Sequence, residues 1–522
     1  MAVAERGCVR HQWRLWQRQS GDQLRYSACH RRIDGRQSRR ECTCCMVGRR
    51  HRSRHSLAYP RRIACRRENG ARQPALPSAC DGDRRGVQVD RHARRDPSHH
   101  GIAHAANNRL GSWREPVVRP LSAVEHAFWL ANLSANNHIV YAAELEGTAT
   151  PREWRDAFDT LQRRHPVLRV RIPATAGGWP YLEFVHGRPI PVRHAVDAIW
   201  DSAGIAYEWL NETLAHELQQ PVDSGTAPLM RAVIASDRGR SVVIVAVSHV
   251  LYDGISVARC IGDLVRVLNG EQLDVLPFPR SMNHVLGVPD AVAPREAVSL
   301  EGVSYPQESP PAVHCMKLPR QLSGELRQRA RDEQTTVHGA LCSAFAMAGR
   351  SSIQRWRGKP IDLRCPVDVR RLWGGDSEFG FFATGGKATL PPVAHSSLWD
   401  LARETLRLLD PTGAREGAKE QVRQFTVHLT EGMDAQGVMR LADDRGMPDL
   451  VVTNIGVVHD TRPVGRFGLR GLWGPLVRAR RPKGLAIAVA SVDDCIHLAM
   501  MSAAPFPSFL ENARALLVQA CE

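Results

Sequence analysis

Apolar positions recur at helical spacing in the segment that follows residue 150. Trp154, Phe158 and Leu161 lie three or four positions apart, so they fall on one face of a helix. The residues before this face, 150–153 (TPRE), form a capping box with proline in the first helical position, which predicts where the helix begins. Pro166 predicts that the helix ends before it.

Further patterns predict two strands and a second helix. Residues 168–172 (LRVRI) alternate between apolar and polar positions, as a half-buried strand does. Residues 242–247 (VVIVAV) are apolar throughout, which predicts a strand buried on both faces. After this strand the apolar residues return to a helical period and predict one buried face, made of Ile261, Leu264, Val265 and Leu268.

The composition of the chain changes at residues 277–311, where seven of 35 residues are proline and the apolar residues keep no regular period. This composition predicts a linker between two halves. The second half repeats the mixed pattern, with strand-like runs at 450–458 and 485–492. The dipeptide 493–494 (DD) then predicts a hairpin turn, and residues 508–511 (SFLE) predict a capping box that opens a C-terminal helix.

Mixed helices and strands in both halves predict an α/β fold of the α+β type. We divide the chain into an N-terminal extension (1–115), an N-terminal lobe (116–276), a proline-rich linker (277–311) and a C-terminal lobe (312–522). With 43% hydrophobic residues over 522 positions, the chain can bury a sizeable core.

The N-terminal extension does not have the composition of a folded domain. Residues 1–100 contain only 11 Leu, Ile, Val and Phe residues together and keep no helical or strand period, so disorder is expected. They also contain 24 Arg, no Lys and 9 acidic residues, and so carry almost all of the formal net charge of +16. The other 422 residues are close to neutral.

Three interpretations of the extension remain open. Translation from a misplaced start codon agrees best with its composition, because spurious frames of a GC-rich gene fill with Arg, and the chain has 65 Arg against 5 Lys. A disordered arginine-rich tail would instead contact polyanions. A zinc site would use the run Cys42, Cys44, Cys45, His51 and His55, but only five residues separate its cysteines from its histidines, against about a dozen in a zinc finger.

Compartment signals agree with a cytoplasmic protein. The N-terminus has no apolar region typical of a secretory signal, and the apolar run at 242–247 is far too short for a membrane span. Beyond residue 100 the cysteines have no paired spacing, as expected of reduced thiols in a cytosolic core. These cysteines are Cys260, Cys315, Cys342, Cys365, Cys495 and Cys521.

A catalytic site is expected at residues 249–254 (HVLYDG), where the buried strand ends and a helix begins. A strand end commonly presents side chains to a cleft. By chance alone, 22 His and 41 Gly in 522 residues would produce this His, Asp and Gly spacing about 0.1 times. The alternative is a purely structural role, in which His249 ends the strand, Asp253 caps the helix and Gly254 makes the turn.

Other segments of the chain support a functional role for this motif, and they follow one another in the order found in a known protein family. Together with 249–254 (HVLYDG), these segments are 120–125 (PLSAVE), 164–169 (RHPVLR), 335–341 (TTVHGAL), 365–370 (CPVDVR), 379–382 (FGFF) and 453–456 (TNIG). Across about 400 residues they resemble the chloramphenicol acetyltransferase and condensation-domain superfamily, which includes peptide condensation domains, polyketide-associated acyltransferases and alcohol acyltransferases.

The resemblance implies two lobes that form a V around a central channel, with His249 at their interface. It implies an acyltransferase of secondary metabolite or lipid biosynthesis, which moves an acyl group from acyl-coenzyme A or an acyl carrier protein to a hydroxyl or amine of a small-molecule acceptor. His249 would be the general base, because a neutral imidazole can accept a proton near pH 7. No bound cofactor and no metal are expected at this site.

The resemblance also implies roles for residues around the base. Asp253 would be structural and would pair with Arg370, because a buried carboxylate needs a cationic partner. Gly254 would leave room for the pantetheine arm of the donor. Thr453 and Asn454 are the candidate oxyanion donors.

Two positions depart from the family pattern. Many peptide-forming condensation domains carry a second His directly before the catalytic one, where this chain has Ser248. Because the stand-alone acyltransferases need only one His, this departure favours them. Thr453 replaces the commoner Ser and keeps a hydroxyl group.

Two other functions remain open. A non-catalytic protein of the same fold would bind a carrier protein as a platform and would show no His-dependent transfer. A nucleic-acid binder would act through the arginine-rich extension, and its salt-dependent binding would vanish when residues 1–115 are deleted. The near-neutral remainder of the chain makes a nucleic-acid partner the weaker of these two hypotheses.

Overall fold

The apolar runs of the sequence form the strands of two main sheets, and the amphipathic segments form the helices that cover them. The arginine-rich extension, with its run of cysteines and histidines from Cys42 to His55, lies outside the described residues, and its interpretations stay predictions. The computed structural model describes residues 117–134, 137–173, 179–202, 204–290, 310–370, 379–392, 397–409, 415–444, 446–458, 465–478 and 484–522.

The strands are short to medium in length, and the longest reaches ten residues. In chain order they are β1 (Val117–Pro120), β2 (His138–Glu146), β3 (Val170–Arg171), β4 (Tyr181–Phe184), β5 (Val192–His194), β6 (Met230–Asp237), β7 (Arg240–Ser248), β8 (Ala312–Leu318), β9 (Ile361–Asp368), β10 (Ala383–Leu390), β11 (Leu450–Val457), β12 (Gly468–Val477), β13 (Leu485–Val492) and β14 (Cys495–Ser502).

The helices are interspersed among these strands along the chain. In chain order they are α1 (Ala123–Ser134), α2 (Pro151–Arg164), α3 (Tyr207–Gln219), α4 (Gly254–Leu268), α5 (Met282–Leu286), α6 (Arg320–Asp332), α7 (Val337–Ser352), α8 (Leu398–Leu408), α9 (Arg415–Thr430), α10 (Ala435–Asp444) and α11 (Phe509–Cys521). No helix in the described part of the chain is long and apolar enough to cross a membrane.

The first main sheet has the strand order β12-β2-β7-β6-β5. Strand β7 lies at its centre and is buried almost throughout, which confirms the strand predicted from the apolar run. Strand β12 comes from residues that the sequence places in the C-terminal lobe, yet it pairs antiparallel with β2, with Leu472 opposite Ala143. The two halves of the chain therefore share this sheet, and the lobe boundaries stay a prediction.

The second main sheet has the order β10-β9-β11-β13-β14-β8, in which β11 runs parallel to both of its neighbours. Strands β13 and β14 form the predicted hairpin, with Asp493 and Asp494 at positive φ of 47° and 63° in the turn. Positive φ at both central residues matches the twist of the flanking strands. A third, small sheet has the order β1-β4-β3.

The predicted helix start at Thr150 is confirmed in detail. The Thr150 hydroxyl accepts from the Glu153 backbone N–H at 3.2 Å, and the Thr150 N–H donates to the Glu153 carboxylate at 2.7 Å. The apolar face of α2, which includes Trp154 and Phe158, is buried against the first sheet. Burial of this face stabilises the helix by far more than the cap alone does.

Two local predictions were wrong. Leu168 lies in a short 3-10 turn at Pro166–Arg169 rather than in a strand, and β3 keeps only two residues, although Ile172 is buried as the alternation predicted. Ser508 does not cap α11 with its side chain. Its backbone (φ −100°, ψ 11°) is not extended, and a serine hydroxyl accepts from the N–H groups of the first turn only from an extended backbone.

The two main sheets share an apolar layer. Val140 and Ile244 of the first sheet lie in one buried cluster with Ala488 and Met501 of the second, and Leu214 of α3 closes the cluster. Helices α6, α7, α8 and α11 cover a separate core on the second sheet. This layered α/β arrangement places the C-terminal end of β7 beside segments from the second half of the chain.

Candidate active site

The predicted motif lies at the corner between β7 and α4. Strand β7 ends at Ser248, His249 follows directly, and α4 begins at Gly254. Asp253 is the N-cap of α4, and its carboxylate accepts from the Ser256 backbone N–H at 2.9 Å. The structural role that was considered as an alternative for Asp253 is therefore present, and it does not exclude further contacts.

The His249 ring is held in one orientation by the backbone of its own turn. Its Nδ1 lies 2.7 Å from the carbonyl oxygen of Tyr252. A carbonyl oxygen can only accept, so Nδ1 carries the hydrogen and the neutral ring keeps its lone pair on Nε2. Burial lowers the pKa of His249 below its ordinary value, and the Tyr252 hydrogen bond and the Asp253 charge oppose this shift without reversing it. The ring is therefore neutral near pH 7 and can accept a proton at Nε2.

Two phenylalanine rings form apolar walls around this imidazole. Phe128 of α1 has its ring centroid 5.0 Å from that of His249, and Phe381 has its centroid at 5.3 Å. The two phenylalanine rings are themselves 4.4 Å apart. Phe381 comes from the second half of the chain, so both halves contribute to the surroundings that favour the neutral imidazole.

Asp253 and Arg370 are in direct contact. Arg370 Nη1 lies 2.8 Å from Asp253 Oδ2, and Nη2 donates to Oδ1 at 3.0 Å. Both residues are buried, with exposed fractions of 3% for Asp253 and 0% for Arg370. Burial opposes ionisation of the carboxyl, but the Arg370 charge and the hydrogen bonds outweigh it and hold the pKa of Asp253 below its ordinary value. The pair is therefore ionised and bidentate.

The remaining polar groups of this pair also have partners. The Phe382 backbone N–H donates to Asp253 Oδ2 at 2.8 Å, and Arg370 Nη1 also donates to Asp368 at 2.8 Å. The Arg370 guanidinium lies 4.8 Å from the centroid of the Phe382 ring. A buried ion pair is tolerated only when its other donors and acceptors are satisfied, as they are here.

Ser256 and Gly380 form a link that the sequence analysis missed. The Ser256 hydroxyl donates to the Gly380 carbonyl at 2.9 Å and accepts from Arg370 at 2.8 Å. Ser256 lies one turn into α4, where serine has no recognisable motif, so only the folded chain identifies it. Together with Asp253, this hydroxyl attaches the start of α4 to the segment that carries Phe381.

An added side chain at Gly254 would not meet open space, and the role of Gly254 in leaving room for a pantetheine arm stays a prediction. An added Cβ would lie 2.6 Å from Cγ of Pro475 in β12 and 3.2 Å from the Tyr141 hydroxyl oxygen. Tyr141 also donates to the Gly254 carbonyl at 2.8 Å. The missing side chain allows strand β12 to pack closely against the start of α4.

Ser248 occupies the position of the second histidine of many condensation domains. It is buried, and its hydroxyl accepts from the Val250 backbone N–H at 3.4 Å. Its cross-strand partner in β2 is His138, another buried histidine that the sequence analysis missed. Burial lowers the pKa of His138 to about 4, and its Nε2 donates to the Glu217 carbonyl at 2.9 Å. His138 is therefore a neutral, hydrogen-bonded neighbour of the motif.

The candidate oxyanion donors lie in β11. Thr453 and Asn454 are both partly buried, and they pair with Ala488 and Val489 of β13. The Asn454 side-chain oxygen accepts from the Gly456 backbone N–H at 2.9 Å, so the amide nitrogen points away from that turn. Within the described residues, the ring contacts of His249 are with Phe128 and Phe381, and the oxyanion role stays a prediction.

Solved structures with the same fold cover most of the chain. Polyketide synthase associated protein 5 from Mycobacterium tuberculosis aligns with a TM-score of 0.53 and 16% identity, over 78% of this chain and 99% of its own. The condensation domain from Monacolin K polyketide synthase MokA aligns with a TM-score of 0.53 and 15% identity, over 77% and 97%. The first condensation domain of the calcium-dependent antibiotic synthetase gives 0.52 and 15%, over 78% and 97%.

Curated sequences match over shorter stretches. Phosphinothricin tripeptide synthetase PhsC from Streptomyces viridochromogenes is 26% identical over 305 residues, which is 51% of this chain and 27% of that protein. Tyrocidine synthase 3 from Brevibacillus parabrevis is 28% identical over 133 residues, or 25% of this chain and 2% of that protein. No protein-family model matches the chain.

These likenesses establish the class of fold. The chain has the fold of condensation domains, which confirms the fold that the resemblance of its motifs implied. The chain spans 27% or less of the length of the curated relatives named above, so the activity of those large synthetases is not transferred to it as a whole.

Proposed function

We propose that this protein is an acyltransferase that moves an acyl group from a thioester to a hydroxyl or amine, with His249 as the general base. The observation that carries the proposal is the hydrogen bond from His249 Nδ1 to the Tyr252 carbonyl. It leaves the lone pair on Nε2 of a neutral, partly buried ring, which is the form a general base needs near pH 7.

In the proposed reaction, Nε2 of His249 first accepts a proton and later donates it. Nε2 takes the proton from the acceptor while the acceptor oxygen or nitrogen attacks the thioester carbonyl carbon and forms a tetrahedral intermediate. The carbon–sulfur bond then breaks, and the imidazolium returns the proton to the thiolate that leaves. Thr453 or Asn454 would donate to the oxyanion, and the acyl group would pass directly to the acceptor without an acyl-enzyme.

Asp253 is assigned a positioning role rather than a catalytic one. Its carboxylate is occupied by Arg370, by the Ser256 N–H and by the Phe382 N–H. These contacts join the turn that carries His249 to residues of the second half, and they support a role in holding the imidazole between Phe128 and Phe381.

The donor belongs to the class of pantetheine thioesters. The relatives bear the names of peptide synthetases and polyketide-associated proteins, which supports a carrier-bound acyl group and a role in secondary metabolism. Acyl-coenzyme A carries the same pantetheine arm and is the alternative donor. The acceptor would be a small molecule with a free hydroxyl or amine.

The test is a transfer assay with the full chain. Acyl-coenzyme A and acyl-pantetheine thioesters of different chain length are incubated with panels of alcohols and amines, and products are scored by mass spectrometry. We expect His249→Ala to lower turnover by about 10²–10⁴-fold without a change in melting temperature. His194→Ala, at an exposed histidine in β5, is the control and should keep full activity.

Two results would contradict the proposal. Wild-type turnover in His249→Ala would show that His249 is not the general base. Carrier-protein binding without transfer of any acyl group would instead indicate the non-catalytic platform.

A further inference from the structure

A second group of reactive side chains lies in the core of the second half, away from the HVLYDG corner. His338 and Cys342 occupy α7, and Cys365 occupies β9. Their ligand atoms (one ring nitrogen and two sulfurs) all lie within 4.8 Å of one another. From the sequence, Cys342 and Cys365 were expected to be reduced core thiols, because the cysteines beyond residue 100 have no paired spacing.

Local structure explains why these three side chains meet. His338 and Cys342 are four residues apart on a helix and so lie on one face. Thr336 caps this helix through the Gly339 N–H at 3.1 Å, which fixes the turn that carries His338. On β9, residues Ile361, Leu363 and Cys365 alternate inward and lie in the same buried cluster as α7.

The separations suit a tetrahedral metal ion. Cys342 Sγ lies 3.7 Å from His338 Nε2. With Zn–S of about 2.3 Å and Zn–N of about 2.0–2.1 Å, a tetrahedral ion would hold sulfur and nitrogen about 3.6 Å apart. Cys342 Sγ also lies 3.9 Å from His338 Nδ1, so the imidazole would have to turn until one ring nitrogen points at the ion.

Burial also distinguishes this cluster from an ordinary surface group. Cys342 has an exposed fraction of 0% and Cys365 of 3%, while His338 is partly exposed. An ion would therefore enter past the His338 ring.

We propose that His338, Cys342 and Cys365 form a Zn²⁺ site with a water molecule as the fourth ligand. Two thiolates and one imidazole are a donor set that zinc prefers. The ion would join α7 to β9, which ends at Asp368, two residues before Arg370. This site is independent of the proposed transferase chemistry, since neither His249 nor Asp253 contributes a ligand.

The first test measures thiol protection in the full chain with Cys42, Cys44 and Cys45 changed to Ser, so that the extension does not take up the added metal. The reduced, metal-free protein is treated with iodoacetamide for times long enough to modify the buried Cys342 and Cys365. The rate of modification of each cysteine, mapped by mass spectrometry, is then compared with the rate after addition of one equivalent of Zn²⁺. We expect zinc to protect Cys342 and Cys365 at least tenfold, while Cys521, which is partly exposed and outside the cluster, is unaffected.

The second test measures metal content. Cysteines of the arginine-rich extension are a background source of zinc binding, so each variant is made in a chain in which Cys42, Cys44 and Cys45 are already Ser. We expect His338→Ala and the double variant C342S/C365S to lose one equivalent of bound Zn²⁺ per chain after loading and dialysis. Cys495→Ser, at a buried thiol outside the cluster, should keep it.

Three outcomes would overturn the proposal. These are equal modification of Cys342 and Cys365 with and without Zn²⁺, equal zinc content in the cluster variants and the Cys495→Ser control, and a Cys342–Cys365 disulfide that forms readily while zinc is not bound. The last outcome would make the two cysteines a redox pair. The thiol-protection result does not depend on whether the variants fold, and activity in the transfer assay is not used as a readout.

Discussion

Arg370 and Asp253 lie 117 residues apart in the chain and form a fully buried, bidentate ion pair, with Nη1 and Oδ2 2.8 Å apart. Asp253 also caps α4, directly after the turn that presents His249. The pair therefore connects the position of the imidazole to the second half of the chain. This connection is more specific than a helix cap, because the cap alone requires only the Ser256 N–H.

The buried ion pair predicts that loss of the Arg370 guanidinium strongly destabilises the fold. Arg370→Ala leaves the Asp253 carboxylate buried without a counter-charge, and we expect the free energy of unfolding to fall by about 3–5 kcal/mol. Thermal and denaturant unfolding measure this loss. Arg423→Ala is the control, because Arg423 forms an exposed ion pair with Glu420, and exposed pairs contribute about 0–1 kcal/mol. An unchanged unfolding curve for Arg370→Ala would contradict the assigned role.

The surroundings of His249 predict the pH dependence of transfer. Because burial lowers the pKa of this imidazole, the neutral form persists below the ordinary histidine value of about 6.5. We expect kcat/KM to rise with pH, to reach half of its maximum below pH 6.5 and to be constant through neutral pH. Phe128→Asn would admit water beside the ring and should move the midpoint upward. A wild-type midpoint at or above 6.5 would contradict this account.

The close approach of β12 predicts a steric effect at Gly254. An added Cβ would lie 2.6 Å from Pro475, so we expect Gly254→Ala to destabilise the fold by about 1–3 kcal/mol. Gly262 lies on the same helix with open space around its missing Cβ, and Gly262→Ala should stabilise it by up to about 1 kcal/mol. Equal melting temperatures for the two Gly→Ala variants would show that the contact is not tight.

The local structure that could be predicted depended on short-range signals. The capping box at Thr150 and the buried run of β7 were predicted because their hydrogen bonds and burial follow from neighbouring residues. Ser508 has the same sequence signal as Thr150 but a different backbone, since a hydroxyl caps a helix only from an extended conformation. Residue 168 was assigned to a strand by alternation, whereas the preceding proline starts a 3-10 turn.

The parts of the site that could not be predicted depend on long-range packing. Ser256 and Pro475 carry no motif of their own, and nothing in the FGFF segment indicated that Phe381 contacts His249. These side chains meet Arg370, Gly254 and His249 through contacts between distant parts of the chain. His249, Asp253 and Arg370 were selected because they resemble positions of a known family. Physical spacing alone would have left Asp253 as a helix cap.

The last prediction concerns the oxyanion. The Asn454 side-chain oxygen accepts from the Gly456 backbone N–H at 2.9 Å, which fixes the orientation of the amide. If the amide nitrogen stabilises the tetrahedral intermediate, Asn454→Ala should lower kcat by about 10²–10³-fold and leave KM nearly unchanged. Thr453→Val is the paired variant, and it should have the larger effect if the hydroxyl is the donor instead. Asn512→Ala, at an exposed asparagine of α11, controls for the loss of an amide. Wild-type kcat in both β11 variants, with melting temperatures unchanged, would show that the oxyanion is stabilised elsewhere.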